Sequence, residues 1–236
     1  MLVVLLVCLS SLGFSQSSHA MVVEKGIVSR LVDGDTAHVL IKENRKVTRT
    51  IKVRFLSIDA PEEHVLASNG KMMGQLPWGK NSTSTLNKIL SLGDSVSVET
   101  YGLDKYGRTL GEIIYNKENV NLDMVEQGAA IPYIICTDDF CTKSYLFSKN
   151  LGKFFHACHT AKAAQVGIFD KRNPLKEMPF EFRARVQKKN FSRYVGNIET
   201  KELFEPSDFE RVDVCNRVFF ENLSHAKKLG FNRVKN

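Results

Sequence analysis

The strongest constraint on the fold is a series of short, β-branched segments separated by turn residues. Three of them lie within residues 26–59, and Asp33-Gly34 forms the first turn between them. The second segment alternates apolar and polar side chains, as a strand with one buried face does. Two further segments of this kind follow later in the chain. We therefore predict five strands, over Gly26–Leu31, Thr36–Ile41, Val47–Ile58, Ser95–Tyr101 and Thr109–Tyr115.

Helical patterns lie between and after these strands. Pro77 is a typical first residue of a helix, and a second, shorter helix is predicted over Val120–Glu126. Residues 144–166 carry apolar side chains at helical spacing, whereas residues 63–76 have no clear periodicity and indicate a loop. Five strands in a meander with three helices predict a mainly β, α+β fold. We expect a closed barrel of the OB type, an architecture that offers a groove for oligonucleotides.

The first twenty residues differ in character from the rest. Residues 2–7 are all apolar, and the run fades through serines to Ser18-His19-Ala20. A stretch this short cannot cross a hydrocarbon layer of about 30 Å as a helix, so it is typical of a secretory signal rather than an anchor. We expect cleavage after Ala20, a secreted or periplasmic protein, and no stable membrane association once the signal is removed.

The net charge of +7 is unevenly distributed along the chain. Residues 21–170 contain 18 basic and 17 acidic side chains, whereas residues 171–236, here called the tail, contain 15 and 9. A basic surface attracts polyanions such as nucleic acid. Because the excess belongs to the tail, we expect it to lie outside the catalytic site.

Apart from the signal, the chain has four cysteines: Cys136, Cys141, Cys158 and Cys215. An even number of cysteines in an exported protein permits disulfides. The first three lie close together in sequence, so we expect one bridge among them and a free thiol at Cys215. A zinc site that also uses His156 and His159 is the rival interpretation, but the spacing fits no common ligand pattern.

Charged residues gather where the predicted strands end and turn. The segments are Asp33-Gly34-Asp35-Thr36, Arg54, Asp59-Ala60-Pro61-Glu62, and Asp104-Lys105-Tyr106-Gly107-Arg108. An arginine within an apolar strand, such as Arg54, costs several kcal/mol when buried unless it is paired. Such groups suit phosphodiester chemistry, because hydroxide must attack a phosphate that is already negatively charged. A hard cation held by carboxylates relieves this repulsion, and planar guanidinium groups, which act as two-pronged forks, bind the phosphate oxygens. Asp35 and Asp59 are the candidate carboxylates, and Arg54 and Arg108 are the candidate forks.

Together with Val120-Asn121 and Gln127-Gly128, these segments resemble the staphylococcal nuclease (thermonuclease) family in order and spacing over residues 25–170. The resemblance implies one Ca²⁺ ion, bound by Asp35, Asp59 and the main-chain carbonyl of Ala60, where the family usually has threonine. It also implies hydrolysis of single-stranded DNA and RNA without sequence specificity, leaving 3′-phosphate ends. We expect a monomer, and the balance of endonuclease and exonuclease action stays open.

The same resemblance implies a role for individual side chains. Glu62 activates or orients the attacking water, and Arg54 and Arg108 bind the phosphate in the transition state. Lys105 and Tyr106 bind the terminal phosphate of the nucleotide. A tyrosine near Tyr133 packs on the base in the family, which makes Tyr133 the candidate for that contact.

Residues 193–234 are similar to the small module related to the zinc domain of the Ada DNA-repair protein, through Tyr194-Val195-Gly196 and Asn216-Arg217-Val218-Phe219-Phe220. The zinc cysteines of that module are missing, so we expect no zinc and a remnant held by packing. It would serve as a basic auxiliary surface for nucleic acid or would only cap the barrel. Between barrel and module we predict a linker, Pro174 to Pro179, and a strand over Phe180–Val186.

The predicted organisation is a signal peptide (1–20), an OB-fold nuclease domain (21–172), a linker with a first strand (173–192) and a small α+β module (193–236). An alternative of a different class is a non-catalytic nucleic-acid-binding or protein-interaction module on the same barrel, as in degenerate repeats of the Tudor-type coactivator. Such copies lose ligands or arginines. This chain keeps all five core residues, which favours the enzyme: Asp35, Arg54, Asp59, Glu62 and Arg108.

Overall fold

The structure is a computed structural model that describes residues 21–137 and 141–234. The predicted signal peptide lies outside the described residues. Across the described ranges, no helix combines the length and the apolar character that crossing a membrane requires.

The strands, in chain order, are β1 (Val22–Asp33), β2 (Thr36–Glu43), β3 (Lys46–Phe55), β4 (Ile58–Asp59), β5 (Val65–Leu66), β6 (Met72–Met73), β7 (Ser95–Leu103), β8 (Thr109–Tyr115), β9 (Glu118–Asn119), β10 (Ile131–Pro132), β11 (Ile134–Cys136), β12 (Tyr194–Asn197), β13 (Glu202–Phe204), β14 (Arg217–Phe220) and β15 (Asn232–Arg233). The α-helices are α1 (Trp78–Ile89), α2 (Val120–Glu126), α3 (Lys143–Leu146), α4 (Lys149–Ala163), α5 (Pro179–Val186) and α6 (Leu223–Lys228). Short 3₁₀ turns cover Gly167–Phe169, Pro206–Arg211 and Val214–Asn216.

Five long strands close into a barrel. They run in the order β3-β2-β1-β7-β8 with antiparallel neighbours, and β3 then pairs with β8 in parallel, so that Arg54 lies opposite Leu110. Side chains that point inward from these strands are completely buried, among them Val39, Val53 and Ile113. The predicted five-stranded, OB-like α+β fold is confirmed.

Helix boundaries follow local capping. Helix α1 begins after Pro77, as predicted. Asn119 starts α2, because its Oδ1 accepts the N–H of Leu122. The single helix predicted over residues 144–166 is divided into α3 and α4, since the Ser148 hydroxyl accepts the N–H of Leu151 and begins a new helix there. The predicted loop over residues 63–76 contains the small hairpin of β5 and β6.

The strand predicted over Phe180–Val186 is wrong, because this segment is helix α5. Alternation of Phe180, Phe182 and Ala184 mimics a strand. The local start signals are those of a helix: Pro179 occupies the first turn, and the Glu181 carboxylate accepts the Met178 N–H.

The tail shares a sheet with the part of the chain that follows the barrel. Strand β14 pairs in parallel with β11, and the sheet continues through β12, β13 and β15. The expectation of a free thiol at Cys215 is wrong, since Cys215 is bonded to Cys158 on α4. Cys136 pairs with Cys141, which is a bridge among the first three cysteines as expected. One hydrophobic core runs from barrel residues such as Val98 to tail residues such as Phe220.

Candidate active site

The turn between β1 and β2 sets the position of Asp35. A Cβ atom on Gly34 would lie 1.9 Å from Ser82 Oγ and 2.8 Å from the Ala60 Cβ, so only glycine allows this approach. Asp35 is buried, and its Oδ2 accepts the Ala60 N–H at 2.8 Å. Asp33 accepts the N–H of Asp35, as turn-forming aspartates do. Burial, with the charge of Asp35, raises the pKa of Asp33 to about 6.

Arg54 connects the two candidate metal ligands. Its guanidinium lies 3.1 Å from Asp35 Oδ2 and 2.8 Å from Asp59 Oδ1. It also donates to the carbonyl oxygens of Phe55 and Ile58, at 2.9 Å and 3.1 Å. The side chain is 12% exposed, so these partners supply the compensation that a buried charge requires.

Asp59 and Glu62 flank the end of β4. Asp59 is fully buried, and the main-chain N–H of Glu62 is held by Gln75 Oε1 at 3.0 Å. Burial raises the pKa of Glu62 to about 7, although the neighbouring Arg183 opposes the shift. A carboxylate that titrates near neutrality is suited to accepting a proton from water.

Arg183, on α5, is bonded to the candidate site, and no sequence motif predicted it. Its Nη1 and Nη2 donate to Asp59 Oδ1 and Oδ2 at 2.8 Å and 2.9 Å, and Nη1 also pairs with Glu62. Pro179 and Glu181 give the local start signal of a helix, but nothing in the sequence indicates which face of α5 meets the cleft. In the structure, the residues of this segment that line the cleft have helical spacing: Phe180, Arg183, Ala184 and Gln187.

The hairpin between β7 and β8 carries the remaining predicted residues. Asp104 accepts the N–H groups of Tyr106 and Arg108 at 2.9 Å, and Gly107 takes a positive φ of 75°. Asp104 also receives the Arg108 Nε–H at 2.7 Å, and the hydrogen bonds lower its pKa against the effect of burial. Tyr106 is two-thirds exposed, with the Lys105 Nζ 5.2 Å from its ring centroid.

A cleft of about 1040 Å³ contains these groups. Asp35 and Glu62 line it and are here called its acidic floor. Basic side chains from the barrel and from the tail also line it and are here called the barrel wall and the tail wall: Lys52, Arg54, Lys105 and Arg108 from the barrel, and Arg183, Lys189 and Arg193 from the tail. The expectation that the basic excess of the tail lies outside the site is therefore wrong. Arg108 lines the same cleft and is paired with Asp104 rather than with the carboxylates on the floor.

The chain is similar to a family of known proteins. The family model for staphylococcal nuclease homologues matches residues 52–171. An uncharacterized endonuclease of Haemophilus influenzae is 32% identical over 148 residues, which are 63% of this chain and 67% of that protein.

The chain belongs to the family of staphylococcal nuclease homologues.

Two further relatives show how far the similarity extends. The endonuclease YhcR of Bacillus subtilis is 39% identical over 212 residues, which are 89% of this chain and 16% of YhcR. The aligned part of this chain is so long that it includes α5 and the basic residues after it. The probable staphylococcal-like nuclease CAN2 of rice, Oryza sativa subsp. japonica, is 26% identical over 157 residues, covering 66% of this chain and 36% of CAN2. The chain thus spans a small part of YhcR and two thirds of the Haemophilus protein.

Tyr133 lines the cleft but is also part of the packing beneath it. Its ring stacks on Phe180 with centroids 5.5 Å apart and contacts Phe219 at 4.9 Å. Burial raises the pKa of its hydroxyl. The contact with a base that the family resemblance implies for Tyr133 stays a prediction.

The donor groups that could hold a divalent cation are those the family uses. Asp35 and Asp59 are both bonded to Arg54, and the main chain of Ala60 is hydrogen-bonded to Asp35. Hard carboxylate and carbonyl oxygens suit Ca²⁺. The residues therefore fit the ion in kind, while Arg183 is in contact with both oxygens of Asp59.

A second group of potential ligands lies where the tail meets α4, and it consists of His159, Asp213 and Cys215. The sulfur of Cys215 is bonded to Cys158, and His159 Nε2 is 2.7 Å from Asn216 Oδ1. Without a thiolate this group lacks its strongest ligand for a soft metal.

Proposed function

We propose that this protein is a secreted, Ca²⁺-dependent nuclease that hydrolyses phosphodiester bonds. The observation that carries the proposal is a charged group at a cleft with basic walls: Asp35, Arg54 and Glu62 line the cleft, and Arg54 is paired with both Asp35 and the fully buried Asp59. Carboxylates at the floor would hold a cation, and the walls would hold an anionic strand. The family membership and the endonuclease names of the relatives support the same activity.

Each residue has the role that the family resemblance implies, and its chemistry supports that role. Asp35, Asp59 and the carbonyl oxygen of Ala60 would hold the ion, which would supply Lewis-acid stabilisation of the phosphate. Glu62 accepts a proton from the attacking water or orients it. Arg54 and Arg108 present planar guanidinium groups that stabilise the negative charge developing on the phosphate.

We further propose single-stranded DNA and RNA as substrates, cut without sequence preference to leave 3′-phosphate ends. The side chains of the cleft walls support the lack of sequence preference, because lysine and arginine bind the backbone that every sequence shares. Lys105 and Tyr106 on the exposed hairpin would bind the terminal phosphate, and Tyr133 would contact the base. The protein would act as a monomer.

The proposal of secretion rests on two features. The apolar N-terminal stretch ends at Ala20, and two disulfides, Cys136–Cys141 and Cys158–Cys215, join cysteines of the remaining chain. Disulfides persist in oxidising compartments outside the cytosol.

The test uses residues 21–236 with single-stranded DNA and RNA, in Ca²⁺, in Mg²⁺ and in chelator. We expect cleavage with Ca²⁺ that chelator abolishes and that Glu62→Ala lowers by about a hundredfold or more. Glu63→Ala is the matched control, since Glu63 is the neighbouring carboxylate, accepts a hydrogen bond from the Thr83 hydroxyl and does not line the cleft. Binding of the oligonucleotide without hydrolysis under either metal would instead support the non-catalytic module.

A further inference from the structure

Arg183 is bonded to a carboxylate that would hold the metal ion, Asp59. Both oxygens of Asp59 accept hydrogen bonds from its guanidinium, at 2.8 Å and 2.9 Å, and Glu62 pairs with the same group. Asp59 Oδ1 also accepts a hydrogen bond from Arg54. The charge of these buried carboxylates is thus balanced by two arginines of the chain itself.

The position of Arg183 is fixed by the packing of α5 rather than by its pairing alone. The carbonyl oxygen of Val186 accepts the Ser68 N–H at 2.9 Å, and that of Glu177 accepts the Gln75 Nε2–H at 2.6 Å. Phe182 and Val186 are buried in one cluster with the hairpin residues Val65 and Ala67. Gln75 in turn holds the main chain of Glu62, so the helix and the acidic floor are parts of one hydrogen-bonded unit.

A guanidinium and a divalent cation cannot both make their best contacts with Asp59. A carboxylate has about four lone-pair positions, and three of those on Asp59 already accept hydrogen bonds from arginine. A divalent cation placed on the same oxygens would be repelled by the guanidinium at short range, in a buried site where charges are weakly screened.

We propose that Arg183 is an internal counter-ion that competes with the divalent cation for Asp59, so that the ion binds only as the guanidinium leaves. This inference rests on the proposed metal-dependent function. It makes the tail a determinant of metal affinity: α5 sets the cation concentration at which the barrel residues become active. The concentration of Ca²⁺ needed for half-maximal cleavage should therefore fall when Arg183 is removed.

Calorimetric titration of residues 21–236 with calcium chloride, without substrate, tests the competition. We expect Arg183→Gln to bind Ca²⁺ about tenfold more tightly than the wild type, the range in which coupled ligands differ. Arg183→Lys keeps the charge but loses the fork that holds both oxygens of Asp59, and should tighten binding by a smaller factor. Arg185→Gln is the matched control, because Arg185 lies on the same helix and pairs with Glu177 instead.

Thermal unfolding gives a second readout that does not depend on activity. Without Ca²⁺, Arg183→Gln should melt below the wild type, because the buried Asp59 and the partly buried Glu62 lose a charged partner. Added Ca²⁺ should raise its melting temperature more than that of the wild type. Unchanged or weaker Ca²⁺ affinity in a folded Arg183→Gln or Arg183→Lys protein overturns the competition while leaving the nuclease proposal intact. Absence of Ca²⁺ binding in every variant, together with cleavage that chelator does not affect, overturns the metal-dependent function and the competition with it.

Discussion

The barrel and the tail form the cleft in different ways. The barrel contributes Asp35, Arg54 and Asp59 from strand ends and tight turns, where a few neighbouring residues decide which way a side chain points. The tail contributes Arg183 from the face of a helix that is held by contacts with residues about a hundred positions earlier, such as Gln75 with Glu177. The difference shows that a residue can belong to the charge balance of a site without belonging to any motif of that site.

The largest expected effect is a difference in catalytic loss between an arginine of the barrel wall and a lysine of the tail wall. Arg108→Ala should lower kcat/KM on single-stranded DNA by about a thousandfold, because a positioned fork for the developing charge is lost. Lys189→Ala on the tail wall should lower it by less than about tenfold, since its contribution is long-range attraction. Steady-state kinetics on both variants measures the contrast. Equal losses would mean that the tail wall also takes part in the chemical step.

The second effect concerns the attachment of the tail to the barrel. Replacing Cys158 and Cys215 by alanine should lower the free energy of unfolding by about 3–4 kcal/mol, because this bridge closes a loop of 57 residues. The matched control replaces Cys136 and Cys141, which are 5 residues apart and should cost about 2 kcal/mol. Urea denaturation of both double variants decides the point. A larger loss in the control would contradict the idea that the long bridge holds the two regions together.

A smaller effect tests a partly buried carboxylate of the barrel outside the cleft. Burial, with the neighbouring charge of Glu99, raises the pKa of Glu112 to about 7, although the Asn119 side chain opposes the shift. Because the folded pKa lies above the unfolded value of 4.5, the protonated form favours folding, and this stabilisation is lost as the pH rises toward and through 7.

Glu112→Gln removes that charge and should be more stable than the wild type at pH 8, by roughly 1–2 kcal/mol, while the two proteins converge near pH 4. Thermal unfolding at both values measures the difference. If the difference in stability is the same at pH 4 and at pH 8, the ionisation of Glu112 does not cause it.

The smallest effect concerns the basic tail wall itself. Lys189→Ala combined with Arg193→Ala should weaken binding of a single-stranded oligonucleotide by about three- to tenfold and lower the salt dependence of binding by up to about two ions. Lys227→Ala with Lys228→Ala, on α6 and outside the cleft, removes the same charge. Fluorescence anisotropy across a salt series compares the pairs. If the two double variants bind the oligonucleotide equally, the tail wall contributes only through the net charge of the protein.

Much of the barrel could be predicted from the sequence because its determinants are local. Alternating side chains around Ala37, Val39 and Ile41 fixed which face of β2 is buried, and all three are buried in the structure. Capping by Ser148 divided a helix whose apolar spacing looked continuous, so the helical content was predicted and the break was not. The pairing of Cys158 with Cys215 could not be predicted, because it depends on how the tail packs against α4.

The candidate site shows the same difference between features set by nearby residues and features set by long-range packing. The sequence indicated the family, which the comparisons confirm. It also predicted Asp35, Asp59 and Arg108 as site residues, because the turns that carry them depend on residues within a few positions of each. The tertiary structure decided the partners of those groups. Whether Arg183 meets Asp59 depends on the placement of α5, which long-range packing with Val65 and Ala67 sets and which no local pattern records.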